Sequence, residues 1–281
     1  MPPARAAFYA ATVAALAFSA RAALVGPPPL RVAALVAAVY FSMLMVGVLV
    51  LRLRVFVDAV IAGPPGSRGV VLTFDDGPDP KSTPRVLEVL AAAGVTATFF
   101  VIGRKAEQHP EIVREMVARG HQVALHSYAH DRLFAMRGPA AWRRDLDKGL
   151  RVLESITGQR ASLFRPPIGH TNPHVAGVMH ALGLTVVGWT VGARDGVRGS
   201  PRAVTDRVLK YAKNGSIVLM HDASERGDFE PAAVAALRDI VAGLAARGLP
   251  VVSLADWLQP LREGGAATGA PSVTTNRAPP A

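Results

Sequence analysis

The stretch "GVVLTFDDGPDP", Gly69–Pro80, joins an apolar run to two adjacent carboxylates. The residues of "GVVLTF" are typical of a buried strand, and Asp75 and Asp76 stand where that strand ends. Gly77 and Pro78 then predict a tight turn. Adjacent carboxylates repel each other unless a cation or a base lies nearby. We therefore expect this strand end to belong to a functional site.

Strand and helix patterns continue to alternate from about Ser67 to Pro260. Seven strands are predicted, with the sequences GVVLTF, TATFFVIG, HQVALH, SLFR, LTVVGWT, SIVLM and PVVSL. Such alternation is typical of a parallel sheet covered by helices. A (β/α) barrel that lacks one unit and an open doubly wound sheet both match the pattern.

The positions of the reactive side chains favour the barrel. Polar residues follow most of the predicted strands: Asp75, Asp76, His126, His130, Arg165, Asp195 and His221. In a closed parallel barrel all these strand ends meet at one rim, whereas an open sheet would spread them along a crevice. We therefore predict an α/β barrel with its chemistry at that rim.

The first part of the chain is apolar enough for a membrane. Val32–Leu51 contains no charge, and twenty such residues match the length needed to cross a bilayer. Ala6–Ala20 is also apolar and is either a first crossing helix or the core of a signal peptide. We favour a hairpin of two transmembrane helices, at about residues 6–25 and 32–51.

These patterns divide the chain into three regions. Residues 1–66 are predicted to be a membrane anchor and residues 67–260 the main domain. Residues 261–281 are rich in Gly, Ala, Pro, Ser and Thr, which predicts a disordered tail. The arginines that flank the two apolar stretches number two in the connecting loop and three on the other side, which slightly favours a main domain inside the cell.

Composition excludes some classes of protein. The chain of 281 residues has no cysteine, so disulfides and thiolate chemistry are excluded. The net charge is +10, yet no basic run is interleaved with aromatic residues, so we do not predict nucleic-acid binding. A basic surface near anionic membrane lipid is a weaker interpretation of the charge.

The stretch "HSYAH" places His126 and His130 four residues apart. On one helical turn, or in a turn-like loop, both rings face the same way. Two imidazoles and one carboxylate, from Asp75 or Asp76, make a metal site with open positions for water and substrate. The other carboxylate would then take a proton from water.

At these residues the sequence resembles the polysaccharide deacetylases of the NodB-homology group, carbohydrate esterase family 4, over about Gly69–Leu258. Five motifs carry the resemblance in order: TFDDGP, HSYAH, RPPIG (Arg165–Gly169), WTVGARDG (Trp189–Gly196) and LMH (Leu219–His221). The resemblance implies a distorted (β/α) barrel that removes acetyl groups from N-acetylated sugars. It also implies a divalent metal, with zinc expected.

The resemblance assigns roles to individual residues. Asp75 would be the catalytic base, held by Arg165, and His221 the general acid, paired with Asp195. Asp76, His126 and His130 would be the metal ligands. The substrate-binding residues would be Ile168, through its backbone N–H on the oxyanion, Leu219, in the acetyl pocket, and Trp189.

Three positions in two of the motifs depart from the family pattern. Ile168 stands where the family often has an aromatic residue, and Gly192 and Gly196 replace an acid and a tryptophan of the fourth motif. We expect both departures to open the cleft and to change the substrate preference.

Together these features predict a membrane-anchored, metal-dependent hydrolase that removes N-acetyl groups from an amino-sugar polysaccharide. Peptidoglycan, a chitin-like polymer or a lipid-linked glycan would be its partner, along with membrane lipid. Because acetylated wall polymers lie outside the cytoplasmic membrane, we expect the catalytic domain to face outward despite the arginine count. The alternatives are an O-acetyl esterase or deformylase with the same site, and a non-catalytic membrane-tethered glycan-binding protein.

Overall fold

The computed structural model describes residues 1–196, 199–225 and 229–258. The predicted disordered tail, residues 261–281, lies outside the described residues. The chain begins with two long helices, α1 (Pro3–Val25) and α2 (Leu30–Leu49). They turn back on each other through "GPPP", residues 26–29.

The two helices pack as a hairpin whose outer surface is apolar. The rings of Phe8 and Tyr40 stack at 5.8 Å, and the hydroxyls of Thr12 and Tyr40 lie 3.2 Å apart. Both helices are long and apolar enough to cross a membrane, and only 6% of the most apolar stretch of each is buried. A core helix of a globular protein would be mostly buried, so the exposure argues against that interpretation.

An eight-stranded sheet forms the centre of the main domain, in the order β1-β6-β5-β4-β3-β2-β8-β7. All neighbouring strands are parallel. The strands are β1 (Ala59–Val60), β2 (Val70–Asp75), β3 (Thr98–Val101), β4 (Gln122–Leu125), β5 (Leu163–Phe164), β6 (Thr185–Val187), β7 (Val191–Gly192) and β8 (Ser216–His221).

The sheet curls until its two ends nearly meet. β6 and β7 lie towards opposite ends of the strand order, yet only residues 188–190 separate them in the chain. The segment around β1 links the ends: Gly188 N donates to Val60 O at 2.8 Å, and Gly63 N donates to Gly215 O at 2.9 Å. The predicted distorted barrel is confirmed in this curled form.

Helices cover the outside of the sheet. They are α3 (Thr83–Ala92), α4 (Gly103–Gln108), α5 (Pro110–Ala118), α6 (Pro139–Thr157), α7 (Val175–Leu182), α8 (Pro201–Tyr211) and α9 (Ala232–Ala246). The first residues of β2 are all apolar because both faces of the strand are buried. Val70, Leu72 and Phe74 pack in the outer core beneath the helices, whereas Val71 belongs to a smaller inner cluster. A strand buried on both faces gives a continuous hydrophobic run.

The strands of the structure differ from the predicted strands in three places. β1 and β7 were not predicted, because two residues are too few to show a period. The predicted last strand, "PVVSL", makes only an isolated bridge between Val251 and Val70. Residues 254–258 are helical, and Leu254, Trp257 and Leu258 fill the inner cluster beside Val71.

Candidate active site

The carboxyl edge of the sheet gathers the polar residues that follow the strands. Asp75 and His221 end neighbouring strands and are partners in the register of β2 and β8. His126 directly follows β4, and Arg165 directly follows β5. Because every strand pair is parallel, these ends lie at one edge. Asp75, His126 and His221 line a pocket of about 250 Å³ there.

Three of the predicted residues form a compact Asp-His-His cluster: Asp76, His126 and His130. Their ligand atoms all lie within 4.8 Å of one another, and all three residues are buried. Asp76 Oδ1 lies 3.2 Å from His130 Nε2 and 3.5 Å from His126 Nε2. Asp75 Oδ2 is farther from His126 Nε2, at 3.8 Å. Asp76 is therefore the carboxylate that both imidazoles face.

The cluster fits a divalent metal ion. One carboxylate and two imidazoles match the donors that zinc and similar ions use. Asp76 Oδ1 is buried without a hydrogen-bond partner in the described part of the chain. A buried acceptor of this kind is costly unless something else satisfies it. A cation held between the three side chains would do so.

Backbone contacts orient the two imidazoles. His126 Nδ1 donates to Arg165 O at 2.7 Å, which leaves its Nε2 without a proton on the side of Asp76. Burial holds the pKa of His126 well below its usual value, so the ring stays neutral. His130 N donates to Ser127 Oγ at 2.9 Å. Ser127, His130 and Asp76 all have positive φ, at 61°, 51° and 73°, a conformation that non-glycine residues seldom adopt outside functional sites.

Asp75 is held by a guanidinium rather than by an imidazole. Arg165 Nη1 donates to Asp75 Oδ1 at 2.7 Å and to Thr73 Oγ1 at 2.8 Å. Arg165 is fully buried, and its other nitrogens donate to the carbonyls of Val187 and Gly188. Burial raises the pKa of Asp75 to about 6, although the charge of Arg165 acts to lower it. Asp75 is thus an anchored carboxylate that changes protonation close to neutral pH.

His221 forms a second oriented pair with Asp195. His221 Nδ1 lies 3.0 Å from Asp195 Oδ1, and His221 N donates to Asp195 Oδ2 at 2.7 Å. Burial alone would lower the pKa of His221. The hydrogen bond and charge of Asp195, with the charges of Asp76 and Asp75, outweigh it and raise the pKa to about 9. His221 is therefore a charged imidazolium at neutral pH.

Three residues predicted to bind substrate also line the pocket: Ile168, Trp189 and Leu219. Ile168 is 42% exposed and therefore offers apolar surface at the pocket. Gly169, which follows it, must lack a side chain, because a Cβ there would lie 2.6 Å from the Trp189 ring. Arg165 and Asp195 do not line the pocket and lie buried behind Asp75 and His221.

The altered fourth motif places the backbone of Gly196 against His221. A Cβ on Gly196 would lie 3.1 Å from Cε1 of His221, so the glycine backbone faces the ring directly. The His221 side chain is 21% exposed. A larger residue at position 196 would crowd the imidazole at its present position.

Sequence reasoning missed two charged residues of the site. Glu225 lines the pocket, and its Oε1 lies 3.3 Å from His130 Nδ1, outside hydrogen-bond geometry. Lys105 Nζ donates to Asp76 O at 2.7 Å and to Ser224 O at 2.9 Å, tying the two loops together. Both residues lie outside the recognised motifs, and neither stands at a strand end. The only sequence signal that connected Glu225 to the site was its position shortly after His221.

The fold and the site together define a class of protein. It is a curled, parallel α/β barrel in which a cluster of three potential metal ligands lies between a carboxylate and an imidazolium. The family model for polysaccharide deacetylases matches residues 62–187. A chitooligosaccharide deacetylase of Sinorhizobium fredii is 39% identical over 203 residues, which cover 67% of this chain and 91% of that protein. A peptidoglycan-N-acetylglucosamine deacetylase of Bacillus cereus is 32% identical over 202 residues, covering 72% of each chain.

Solved structures agree with this assignment. A pseudoenzyme of carbohydrate esterase family 4 from Bacillus anthracis superposes with a TM-score of 0.66 at 28% identity, covering 72% of this chain and 69% of that one. The chain belongs to the polysaccharide deacetylase family, as its motifs predict. It is a hydrolase of that family.

Proposed function

We propose that this protein is a membrane-anchored, metal-dependent hydrolase that removes N-acetyl groups from an amino-sugar glycan. Peptidoglycan, a chitin-like polymer and a lipid-linked glycan are the substrate classes under this proposal. One observation carries it. Two oriented acid–base pairs, Asp75 with Arg165 and His221 with Asp195, flank a single cluster of three buried metal donors.

The metal would be held by Asp76, His126 and His130. Zinc is our first choice, because a mixed set of imidazole and carboxylate donors with open positions suits a catalytic zinc ion. When bound, such an ion supplies a Lewis acid that activates water and polarises the acetyl carbonyl. Lys105 and the φ values of the loop keep Asp76 in place for this purpose.

Asp75 and His221 would divide the proton transfers. Asp75 accepts a proton from the attacking water, and Arg165 keeps its carboxylate aimed at the pocket. His221, charged at neutral pH, donates a proton to the sugar nitrogen as the C–N bond breaks. Acetate and a free amino sugar are the products.

The remaining site residues would recognise the acetyl group and the sugar. The Ile168 backbone N–H is proposed to stabilise the oxyanion, a contribution worth about 3 kcal/mol for one such donor. Leu219 and Trp189 would line the acetyl pocket. Without aromatic side chains at positions 168 and 196, the cleft offers less stacking surface to a sugar ring.

The helices α1 and α2 would anchor the domain in the cytoplasmic membrane, with the domain outside the cytoplasm. Their length, apolar character and lack of burial support the anchor. Acetylated wall polymers lie on the outer side, and the flanking arginines differ by too little to set the orientation. Protease accessibility of the main domain in intact cells tests this topology: cleavage without lysis is expected, and protection would place the domain inside.

A second function, glycan binding without catalysis, is favoured by one observation: the Bacillus anthracis relative is described as a pseudoenzyme. The complete set of acid, base and cluster residues in this chain argues against it. The test is release of acetate from triacetylchitotriose and from peptidoglycan by the purified full-length protein, with and without zinc and a chelator. Zinc-dependent release supports the proposal. Stoichiometric metal binding without release would overturn it.

A matched pair of sugars separates amide from ester chemistry. Glucosamine derivatives that carry either an N-acetyl or an O-acetyl group at otherwise identical positions are compared at equal concentration. Faster amide cleavage is expected, because the charged His221 protonates a poor amine leaving group. Preference for the ester, or for an N-formyl amide, would move the function to the esterase or deformylase alternative.

A further inference from the structure

An apolar cavity of about 190 Å³ lies between the end of α2 and the candidate active site. One wall consists of residues 49–52, where the chain leaves α2, together with Ile61. The opposite wall consists of Ile168, Gly169 and Trp189. Side chains of Leu49, Leu51 and Ile61 make most of the first wall hydrophobic.

The apolar cavity and the catalytic pocket share a wall. Ile168, Gly169 and Trp189 line both spaces. An elongated molecule that passes along Ile168 and Trp189 would have one end at the Asp-His-His cluster and the other in the apolar cavity. A sugar polymer in water has no apolar end for such a cavity, whereas a sugar attached to a lipid has one.

The apolar cavity also lies at the membrane end of the domain. Arg5, at the start of α1, donates to the carbonyls of Arg54 and Val55 and pairs with Asp58. The beginning of α1 and the exit from α2 are therefore at the same end of the hairpin. Arg52 and Arg54 at this exit are natural anchors at a membrane–water interface.

The loop that carries Ile168 is bonded directly to α2. Thr171 N donates to Val48 O at 3.0 Å, and Thr171 Oγ1 donates to Gly47 O at 3.3 Å. These bonds join the last turn of the candidate membrane helix to the wall of the catalytic pocket. The site is consequently held next to the surface at which α2 would leave the bilayer.

Exposed apolar side chains also lie on a loop that is bonded to the segment carrying Ile168. Asn172 Nδ2 donates to the carbonyls of Ala135 and Arg137, tying the loop after His130 to the same segment. That loop exposes Leu133 and Met136, by 59% and 80%. Large apolar side chains this exposed at a membrane-facing edge are suited to contact lipid.

We propose that the substrate is an N-acetylated amino sugar attached to a lipid of the same membrane, with the first part of its lipid chain in the apolar cavity. This inference rests on the proposed deacetylase function and names the substrate class for it. The sugar would enter from the membrane surface rather than from the surrounding water. The lipid segment in the cavity would position the acetyl group at Asp75 and His221.

The experiment uses the full-length protein in phosphatidylcholine vesicles and measures acetate release from two probes. One is dodecyl N-acetyl-β-glucosaminide incorporated into the same vesicles, and the other is water-soluble triacetylchitotriose. We expect kcat/KM for the alkyl probe to be at least about tenfold higher. Equal or lower values for the alkyl probe would overturn the inference while leaving the deacetylase function intact. Release from neither probe would overturn both.

Cavity-filling variants test the origin of a preference for the alkyl probe. The preference could come from the apolar cavity or simply from the presence of protein and probe in the same membrane. Ile61→Trp should lower activity on the alkyl probe at least about tenfold and leave activity on triacetylchitotriose within about twofold. Leu49→Trp fills the same cavity from an exposed position and serves if Ile61→Trp does not fold. Val117→Trp, which fills a different cavity beside Gln122 at the amino end of β4, is the matched control and should change neither activity. An equal loss on both probes in both cavity variants would overturn the inference.

Discussion

The Nδ1 atom of His126 lies 2.7 Å from the carbonyl oxygen of Arg165, so Arg165 holds two members of the site at once. Its main chain orients His126, and its guanidinium holds Asp75 at 2.7 Å. Arg165 thereby couples the position of the proposed base to that of a proposed metal ligand. A change at this residue should disturb both.

Replacing Arg165 by lysine should lower kcat by about 100-fold, because a small misplacement of a catalytic group costs about that much. Lysine keeps the charge but cannot bond Asp75, Thr73 and the two carbonyls together. The lost hydrogen bond also allows the pKa of Asp75 to rise above about 6. Since the base must be deprotonated, the acidic limb of the pH–rate profile should move to higher pH.

Thr73→Val is the matched control for that change. It removes one bond to Arg165 and leaves the bond to Asp75. We expect a small loss of activity and no shift of the acidic limb. An unchanged acidic limb in Arg165→Lys would contradict the assigned role of Arg165.

Mutation should distinguish the roles of the two adjacent acids, Asp75 and Asp76. Asp75→Asn should retain metal and lose activity by about 100- to 10,000-fold, the usual range for a general base. Asp76→Asn should lose metal, because Asp76 alone faces both imidazoles at short distance. Metal content and acetate release are measured on the same preparations. Metal loss in Asp75→Asn that parallels its activity loss would reverse the assignment.

The alkaline limb of the pH–rate profile should report His221. Its pKa of about 9 lies above the ordinary value, so the imidazolium persists at neutral pH and is lost as pH rises through about 9. Asp195→Asn removes the largest of the charges that raise this pKa, so the alkaline limb should move to lower pH. Asp147→Asn, at an exposed pair with Arg151, is the control and should leave it in place. An alkaline limb that stays fixed in Asp195→Asn would rule out His221 as the acid held by Asp195.

Glu225→Gln should weaken metal binding by about 10- to 100-fold, the usual effect of losing a carboxylate behind a ligating histidine. Glu225 Oε1 lies 3.3 Å from His130 Nδ1, on the side of the ring away from Asp76. Affinity is measured by competition for zinc with a chromogenic chelator, which does not depend on turnover. Glu111→Gln, at an exposed helix start, is the control. Equal zinc affinity in Glu225→Gln and the unchanged protein would exclude this role.

The prediction of the fold succeeded where elements were long enough to show a period. The long strands and the two apolar helices match their patterns. β1 and β7 were not predicted, and "PVVSL" was wrongly predicted as a sheet strand. Two residues give no periodic signal, and an apolar run does not reveal how many of its residues pair with a neighbouring strand.

The site was predictable only in part. The motifs pointed to Asp75, Asp76, His126, His130, Arg165 and His221, because polar residues at apolar strand ends are conspicuous. Glu225 and Lys105 gave no such signal, since they stand in a loop and a short helix with ordinary polar composition. Their importance depends on contacts with residues that are distant in the chain, at Asp76 and His130.

Hydrophobic period and strand-end chemistry, both readable along the chain, determined the parallel α/β barrel, the apolar N-terminal helices and the edge that carries the polar residues. The residues themselves left open which of the two acids faces the imidazoles, and the family resemblance implied Asp76. The tertiary structure places Asp76 there through its positive φ and through the hydrogen bonds by which Arg165 holds Asp75. It also decided that α2 ends against the wall of the pocket. Periodicity reports burial within one element, whereas these arrangements arise from contacts between elements far apart in sequence.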